Sequence, residues 1–230
     1  MTAGQDTRAR LISTAERLFA ARGIDGVSLR EISRASGARN AIATQYHFQD
    51  RAGLVEAILA KHQPAVEAAR HALLDDVEAA RDSADRSPEQ LVRALAGALV
   101  RPLAAKLADP DGGPEFLQVH AQVIERDPAA AGVAAASVAR WRRLADPVLD
   151  RDAVRLHRRF TAVLHTATEL GRRAGSGPHT DDRLFTSYLV DVVSAILSFP
   201  VSAETRRLAD ERDRARRHSR KESNTRSQAG

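Results

Sequence analysis

Residues 28–51, SLREISRASGARNAIATQYHFQDR, constrain the fold more than any other stretch of the chain. Leu29, Ile32 and Ser33 recur at the helical period and place one narrow face inward. Gly37 follows at a sharp turn, because glycine tolerates the left-handed backbone that a helix end commonly needs. The spacing therefore predicts a short helix, a glycine turn and a second short helix.

The second short helix would close a small core with Ile42 and Phe48 and leave its other face polar. Such a helix fits the major groove of DNA, where Arg, Asn and Gln can pair with base edges. Its polar residues are Arg39, Asn40, Thr44, Gln45, Tyr46 and His47. The pattern favours a helix-turn-helix that reads DNA. The alternative is an ordinary helical hairpin whose polar side chains are merely solvated.

An amphipathic helix precedes this segment. Residues 7–23 read TRARLISTAERLFAARG, and Gly23 predicts the end of the helix. Its inward face consists of Leu11, Ile12, Ala15, Leu18 and Phe19. Ser28 and Glu31 then have the spacing of a capping box at the start of the next helix.

A fourth helix is predicted over residues 51–62, with Asp50 as its N-cap. Pro64 predicts a break or kink after it, because proline lacks the N–H that a helix interior needs. The head would then comprise residues 1–50, joined by this helix to a larger domain over residues 51–202.

At these residues the chain resembles the TetR family of bacterial transcriptional regulators. The resemblance covers residues 8–62. It is carried by LFAARG, by a hydroxyl residue and by Ile32, Ala35, Gly37, Phe48 and Arg51 in family order. From Gly37 to Phe48 the chain is one residue longer than the commonest family pattern. It has the Asn-containing form, ending in YHF, that a subgroup of the family shows.

The resemblance implies a regulator, interpreted here as a repressor, that binds a near-palindromic operator as a homodimer. Ser28, Tyr46, His47 and Arg51 are expected on the DNA backbone, and Arg39, Asn40, Thr44 and Gln45 on the bases. Arg30 completes the set of candidate DNA contacts. The alternative is a helical small-molecule-binding protein whose head has lost its affinity for DNA.

The rest of the chain predicts an all-α fold, with no strand pattern and no internal repeat. Helices are expected over residues 65–83, 88–103, 115–126, 129–149, 152–173 and 180–199. The helix 180–199 is apolar over more than the one-third stripe of a surface helix, so it must be buried on two sides. The resemblance implies that it pairs with helix 152–173 in a dimer, where Leu189 and Val193 would lie. The alternative is the centre of a monomeric bundle.

The resemblance also implies a pocket for a small effector, and because no charged pair stands out in the sequence, we expect that effector to be largely apolar. Its candidate lining residues are Phe116, His120, Trp141, Phe160, His165 and Tyr188, each of which could instead be plain core. No metal-ligand spacing and no catalytic motif occurs, so neither a cofactor nor an enzymatic activity is expected.

Composition agrees with these expectations. The net charge of +5 permits nucleic acid as a partner, although part of the excess lies in the tail. No cysteine, no hydrophobic leader and no membrane-spanning run occurs, which predicts a soluble cytoplasmic protein. The charged tail, residues 203–230, is expected to be largely disordered and solvated, with disorder from Ser219 on; pairs such as Asp210 with Arg214 could support a frayed helix before that point. The alternative is that its basic residues add phosphate contacts.

Overall fold

Every regular element is helical in the part of the chain that the structure describes, residues 3–38, 43–83, 86–127 and 135–228. This computed structural model therefore confirms the all-α prediction. The helices are α1 (Ala3–Arg22), α2 (Leu29–Ala35), α3 (Ala43–Phe48), α4 (Arg51–Asp82), α5 (Pro88–Ala104), α6 (Gly113–Arg126), α7 (Ala136–Ala145), α8 (Arg151–Arg155), α9 (Arg158–Gly175), α10 (Arg183–Ser198) and α11 (Ala203–Gln228). A 3-10 turn, Ala105–Ala108, follows α5.

The head consists of α1, α2, α3 and the first turns of α4. Gly23 and Gly37 adopt the predicted left-handed backbone, with φ of 78° and 69°. Ser28 accepts a hydrogen bond from the backbone N–H of Glu31 at 3.2 Å. The carboxylate of Glu31 pairs instead with Arg22 at 2.7 Å, so only half of the predicted capping box forms. The buried core residues are Leu11, Ile12, Ala15, Phe19, Ile24, Val27, Ile32, Phe48, Leu54 and Ile58.

Helix α4 runs without interruption from Arg51 to Asp82, so the predicted break at Pro64 is wrong. Asp50 caps its start by accepting from the N–H of Gly53 at 2.9 Å. Proline costs a helix one backbone hydrogen bond, but tertiary packing outweighs that loss. Buried residues before and after Pro64, Leu54, Ile58, Val66, Leu74 and Val77, hold both halves against the rest of the fold.

The larger domain packs α5 against α4 and α10, and α6 against α9. Ser87 and Gln90 form a complete capping box at the start of α5, where Pro88 takes the first helical position as predicted. Gly171 permits the close approach of α9 to α6. A Cβ at this glycine would lie 2.5 Å from that of Ala121.

The predicted helix 152–173 is broken into α8 and α9. His157 adopts a left-handed backbone, with φ of 58°, between the two helices. Histidine gives no sequence signal for such a turn, because non-glycine residues rarely adopt positive φ.

The tail begins as a helix, α11, in the part where a frayed helix was expected. Arg155 on α8 pairs with Asp210 at 2.8 Å and with Asp213 at 2.7 Å on α11. Ala209, next to the first of these carboxylates in sequence, is buried. The ion pairs with Arg155 thus join α11 to α8, a contact that the composition of the tail did not indicate.

No single helix in the described ranges is long and apolar enough to cross a membrane. One pair bent by 54°, Arg183–Ser198 with Ala203–Arg217, meets the length and composition criterion only when the two are joined.

Candidate functional site

Helix α3 presents polar and aromatic side chains to solvent. Tyr46 is 84% exposed, and Gln45 beside it is exposed as well. His47 is half-buried, and its ring meets that of Tyr46 edge-on at 5.3 Å between centroids. Phe48 is buried and fixes the end of α3 in the head core. A short helix anchored by one side and open on the other is suited to entering a groove.

Four predicted side chains of this region cannot be placed from the described residues. Arg39, Asn40 and Ile42 lie outside those residues. The backbone of Thr44 belongs to α3, and its side chain lies outside the description. Of the four residues predicted to contact bases, Gln45 is the one whose side chain is described.

Helix α2 adds two exposed arginines, Arg30 and Arg34, beside the exposed cap residue Ser28. Arg34 was not among the predicted contacts. It lies in the last turn of α2, just before the glycine turn.

Arg51 has a structural task that the sequence did not reveal. Its Nη2 donates to the carbonyl of Val27 at 3.0 Å, and its Nη1 lies 3.7 Å from a carboxylate oxygen of Asp25. The side chain is 41% exposed. Arg51 thus holds the turn that leads into α2 while keeping part of its guanidinium at the surface.

A charge cluster with a buried centre at Glu16 and His62 joins the head to the larger domain. This junction cluster consists of Glu16 on α1, Lys61 and His62 on α4, and Asp111 before α6. Glu16 bonds Lys61 and His62 at 3.0 Å each, and Lys61 also bonds Asp111 at 2.9 Å. Gly112, with φ of 80°, lets the loop approach: a Cβ there would lie 2.5 Å from a Glu16 oxygen.

Glu16 and Asp111 stabilise the positive charge of Lys61. Burial alone would lower the pKa of Lys61, but hydrogen bonds from Lys61 to Asp111 and Glu16 outweigh burial and raise it. Asp109, 3.9 Å from Nδ1 of His62, has its pKa lowered chiefly by Lys106. Lys61 therefore stays a paired cation at neutral pH.

Helix α6 makes the second connection to the head. The side-chain amide of Gln122 accepts from the N–H of Ile24 at 2.9 Å and donates to the carbonyl of Phe19 at 3.3 Å. Arg126 pairs with Asp25 at 2.8 Å. Movement of α6 along its axis would therefore disturb the turn between α1 and α2.

An internal cavity lies among α4, α5, α6, α7 and α9. Its free volume is about 40 Å³, room for roughly one to three water molecules. Sites for drug-sized ligands are usually about 300–1,000 Å³, so a ligand of that size would fit only if the surrounding helices moved apart. Its apolar walls are Val66, Leu99, Leu103, Phe116, Ile124, Val138 and Val163.

Two of the six predicted pocket residues, Phe116 and His120, line this cavity. Trp141 is fully buried in the neighbouring core, where its Nε1 donates to the carbonyl of Leu95 at 2.9 Å. His165 is half-buried and lies outside the cavity lining. Phe160 and Tyr188 are 41% and 65% exposed. The prediction that they line the interior is wrong, because those faces of α9 and α10 turn outward.

One end of the cavity is polar, a feature that the sequence did not predict. Arg70 on α4 is only 5% exposed. Its Nη1 donates to Glu67 at 3.2 Å and to Ser137 at 2.8 Å, and its Nε donates to the carbonyl of Ala98 at 3.2 Å. Burial lowers the pKa of this guanidinium, and Glu67 partly offsets that effect.

The cavity and the junction cluster share one contact. Phe116, a wall of the cavity, stacks on the ring of His62 at 4.5 Å between centroids, with planes 24° apart. A ligand that displaced Phe116 would therefore act directly on a partner of Glu16.

Helices α9 and α10 expose an apolar surface, which we call the outer face. It contains Phe160, Leu184, Tyr188 and Phe199, which are 41%, 82%, 65% and 69% exposed. Leu189 and Val193, which the sequence placed in a dimer interface, are buried within the protomer at 2% and 0% exposure. They face inward because α10 packs on α5 with that side.

Comparison with family models matches residues 11–58 to bacterial regulatory proteins of the tetR family. The fold is similar to that of a putative TetR-family transcriptional regulator from Mesorhizobium loti MAFF303099, with 17% identity and a TM-score of 0.46, covering 84% of this chain and 96% of that one. The TetR family regulator PfmR from Thermus thermophilus is 17% identical with a TM-score of 0.49, and the match covers 84% of this chain and 100% of that one. A tetR family regulatory protein from Rhodococcus RHA1 is 18% identical with a TM-score of 0.49, and the match covers 87% of this chain and 100% of that one. No curated protein matched.

Proposed function

Because its N-terminal domain belongs to the TetR family of bacterial regulatory proteins, we propose that this chain is a transcriptional repressor that binds a near-palindromic operator as a homodimer. Its family domain and fold imply DNA-binding transcription regulation. The observation that carries the proposal is α3, a short helix anchored by buried Phe48 with Tyr46 exposed at 84%.

Helix α3 lies in the major groove in this proposal. Gln45, with Arg39, Asn40 and Thr44, faces the bases. Phosphates are held by Ser28, Arg30, Tyr46, His47 and Arg51. Phosphate contacts position a protein on DNA, whereas base contacts give it sequence preference. These two groups should therefore respond differently to substitution.

The first test is selection of a binding site from random duplexes, followed by anisotropy titrations over a series of salt concentrations. Gln45→Ala should lower affinity for the selected duplex about tenfold, the cost of one base contact, and leave a scrambled duplex unaffected. Arg30→Ala should weaken both and reduce the salt slope by about one. The control is Arg143→Ala, an exposed arginine on α7, which should change neither.

Arg51→Ala is less suitable than Arg30→Ala for this test, because it also removes the hydrogen bond to the carbonyl of Val27. Selection that enriches no sequence would contradict the operator proposal and favour a helical small-molecule-binding protein. Equal loss on both duplexes for Gln45→Ala would place that residue on the DNA backbone.

The homodimer forms through the outer face of α9 and α10. A near-palindromic operator needs two heads related by a two-fold axis, with recognition helices roughly 34 Å apart. The outer face supports this arrangement because it exposes large apolar side chains on adjacent helices. The pairing is isologous, so each protomer offers the same surface to the other.

A small, largely apolar effector releases the operator by entering the cavity. Because the cavity has only about 40 Å³ of free volume, a ligand must shift its walls, and α4 and α6 both continue to the head. Release requires that the ligand bind the non-DNA-binding state more tightly than the DNA-binding state.

Reciprocity provides the second test. A hundredfold loss of operator affinity corresponds to about 2.7 kcal/mol of coupling, so the operator must weaken effector binding a hundredfold as well. Each compound that raises the melting temperature in a screen is titrated calorimetrically with the protein alone and with the protein saturated by its selected duplex. A scrambled duplex serves as control. Equal affinities for every compound would exclude ligand control.

A further inference from the structure

Arg70 is the one arginine that lines the cavity among the described residues. A guanidinium has five N–H donors. Nε uses one for Ala98, and Nη1 uses two for Glu67 and Ser137. No acceptor in the described ranges bonds Nη2, so its two donors are the ones left for a ligand. Arginine has no acceptor, and a ligand must therefore bring an acceptor oxygen.

We infer that the cavity binds an apolar molecule carrying one neutral hydrogen-bond acceptor, a ketone or ester carbonyl, which accepts from Nη2 of Arg70. This inference rests on the proposed effector function of the cavity and names the chemical class of that effector.

The charge at this end of the cavity favours a neutral group over a carboxylate. Glu67 already balances Arg70, and it is held in place by the N–H of Ser137 at 3.0 Å and by the Ser137 hydroxyl. A ligand carboxylate would lie close to this fixed negative charge and be repelled by it. Replacing Glu67 as the partner of Arg70 would also leave Glu67 without its counter-charge.

The geometry of the guanidinium leads to the same choice. Carboxylates bind arginine best through two parallel hydrogen bonds from one edge of the fork. Each edge that includes Nη2 also includes Nε or Nη1, and both of those nitrogens are already bonded within the protein. A single carbonyl oxygen needs only Nη2.

The remainder of the ligand must be apolar and compact. Most of the other lining side chains are aliphatic or aromatic, from Val66 on α4 to Val163 on α9, and Gln63, His120 and Thr166 are the polar ones among them. Thr166 contributes little polarity, since its hydroxyl already donates to the carbonyl of Ala162 at 2.7 Å.

The experiment follows the fluorescence of Trp141, the only tryptophan of the chain, one helical turn from the cavity wall at Val138. The probes are methyl hexyl ketone, octane and octanoate, with shorter and longer members of each series. We expect the ketones to bind about tenfold more tightly than the alkanes of equal size, the value of one hydrogen bond to a charged donor. Octanoate should bind more weakly than the ketone.

Two variants assign the effect to Arg70. The double variant Arg70→Met with Glu67→Gln removes donor and counter-charge together, so no bare charge stays buried. It should reduce ketone affinity about tenfold, to the level of octane, and leave octane unchanged. Arg140→Met is the matched control, because Arg140 on α7 bonds Asp75 and Glu78 away from the cavity. Circular dichroism checks folding.

Glu67→Gln alone keeps the test decisive if the double variant fails to fold. It removes the negative charge beside Arg70, and we expect octanoate to gain affinity relative to the ketone. Three results would each overturn the inference. Octanoate could bind the wild-type protein more tightly than the ketone, octane could bind with the same affinity as the ketone, or no member of any series could bind. Duplex binding uses none of these probes, so the regulator proposal stands or falls separately.

Discussion

Tyr188→Arg is expected to convert the protein from dimers to monomers and to reduce operator affinity more than a hundredfold. In the proposed interface the substitution buries a charge without a partner, at a cost of about 3–5 kcal/mol. The protomer should stay folded, because Tyr188 is 65% exposed within it. Light scattering gives the mass, circular dichroism the fold, and anisotropy the affinity for the selected duplex.

Tyr188→Phe is the matched control and should keep the dimer, because it preserves the ring. Leu189→Arg is a useful contrast one position along α10. Leu189 is 2% exposed and packs inside the protomer, so its replacement should lower the melting temperature rather than separate intact subunits. Wild-type protein that is monomeric at micromolar concentration would refute the interface before any variant is made.

Glu16→Ala should destabilise the head strongly. Glu16 accepts hydrogen bonds from Lys61 and His62 at 3.0 Å each, in a site where its side chain is 1% exposed. Hydrogen bonds to charged groups are worth about 1.5–3 kcal/mol each, so we expect a loss of about 3–5 kcal/mol. Denaturant unfolding followed by circular dichroism measures it.

Glu31→Ala is the matched control for Glu16→Ala. Glu31 also pairs with a basic residue, Arg22 at 2.7 Å, but both side chains are about two-fifths exposed. Surface pairs of this kind contribute little to stability, and the backbone N–H that Ser28 caps is unaffected. Similar losses for the two variants would mean that the junction cluster contributes no more than an ordinary surface pair.

The head could be predicted from sequence because its signals are local. Ser28, Gly37 and Asp50 each act within four residues of their own position, through a cap or a left-handed turn. Such features depend on short-range chemistry that is readable in the chain itself. The exposed positions of Gln45 and Tyr46 followed from the same periodicity.

The larger domain depends on contacts between distant residues, and there prediction failed in specific ways. Arg70 resembles a surface residue in sequence, because its partners Ala98 and Ser137 are 28 and 67 positions away. Pro64 predicts a break that only packing on both sides overrides. The breadth of the apolar surface on α10 indicated two buried sides, but it could not say which side faces its own protomer.

The continuity of α4 also limits how parts of this protein could be exchanged with its relatives. Leu54 and Ile58 complete the core of the head, yet they belong to the helix that carries Val66 and Arg70 into the cavity wall. A chimera made by exchanging residues 1–50 would separate three helices from the surface on which they fold. A transplantable head extends through His62, and its host must supply an α6 whose side chains suit Phe19 and Ile24. The segment to exchange is therefore the head together with the first part of α4, and the recipient must provide a matching α6.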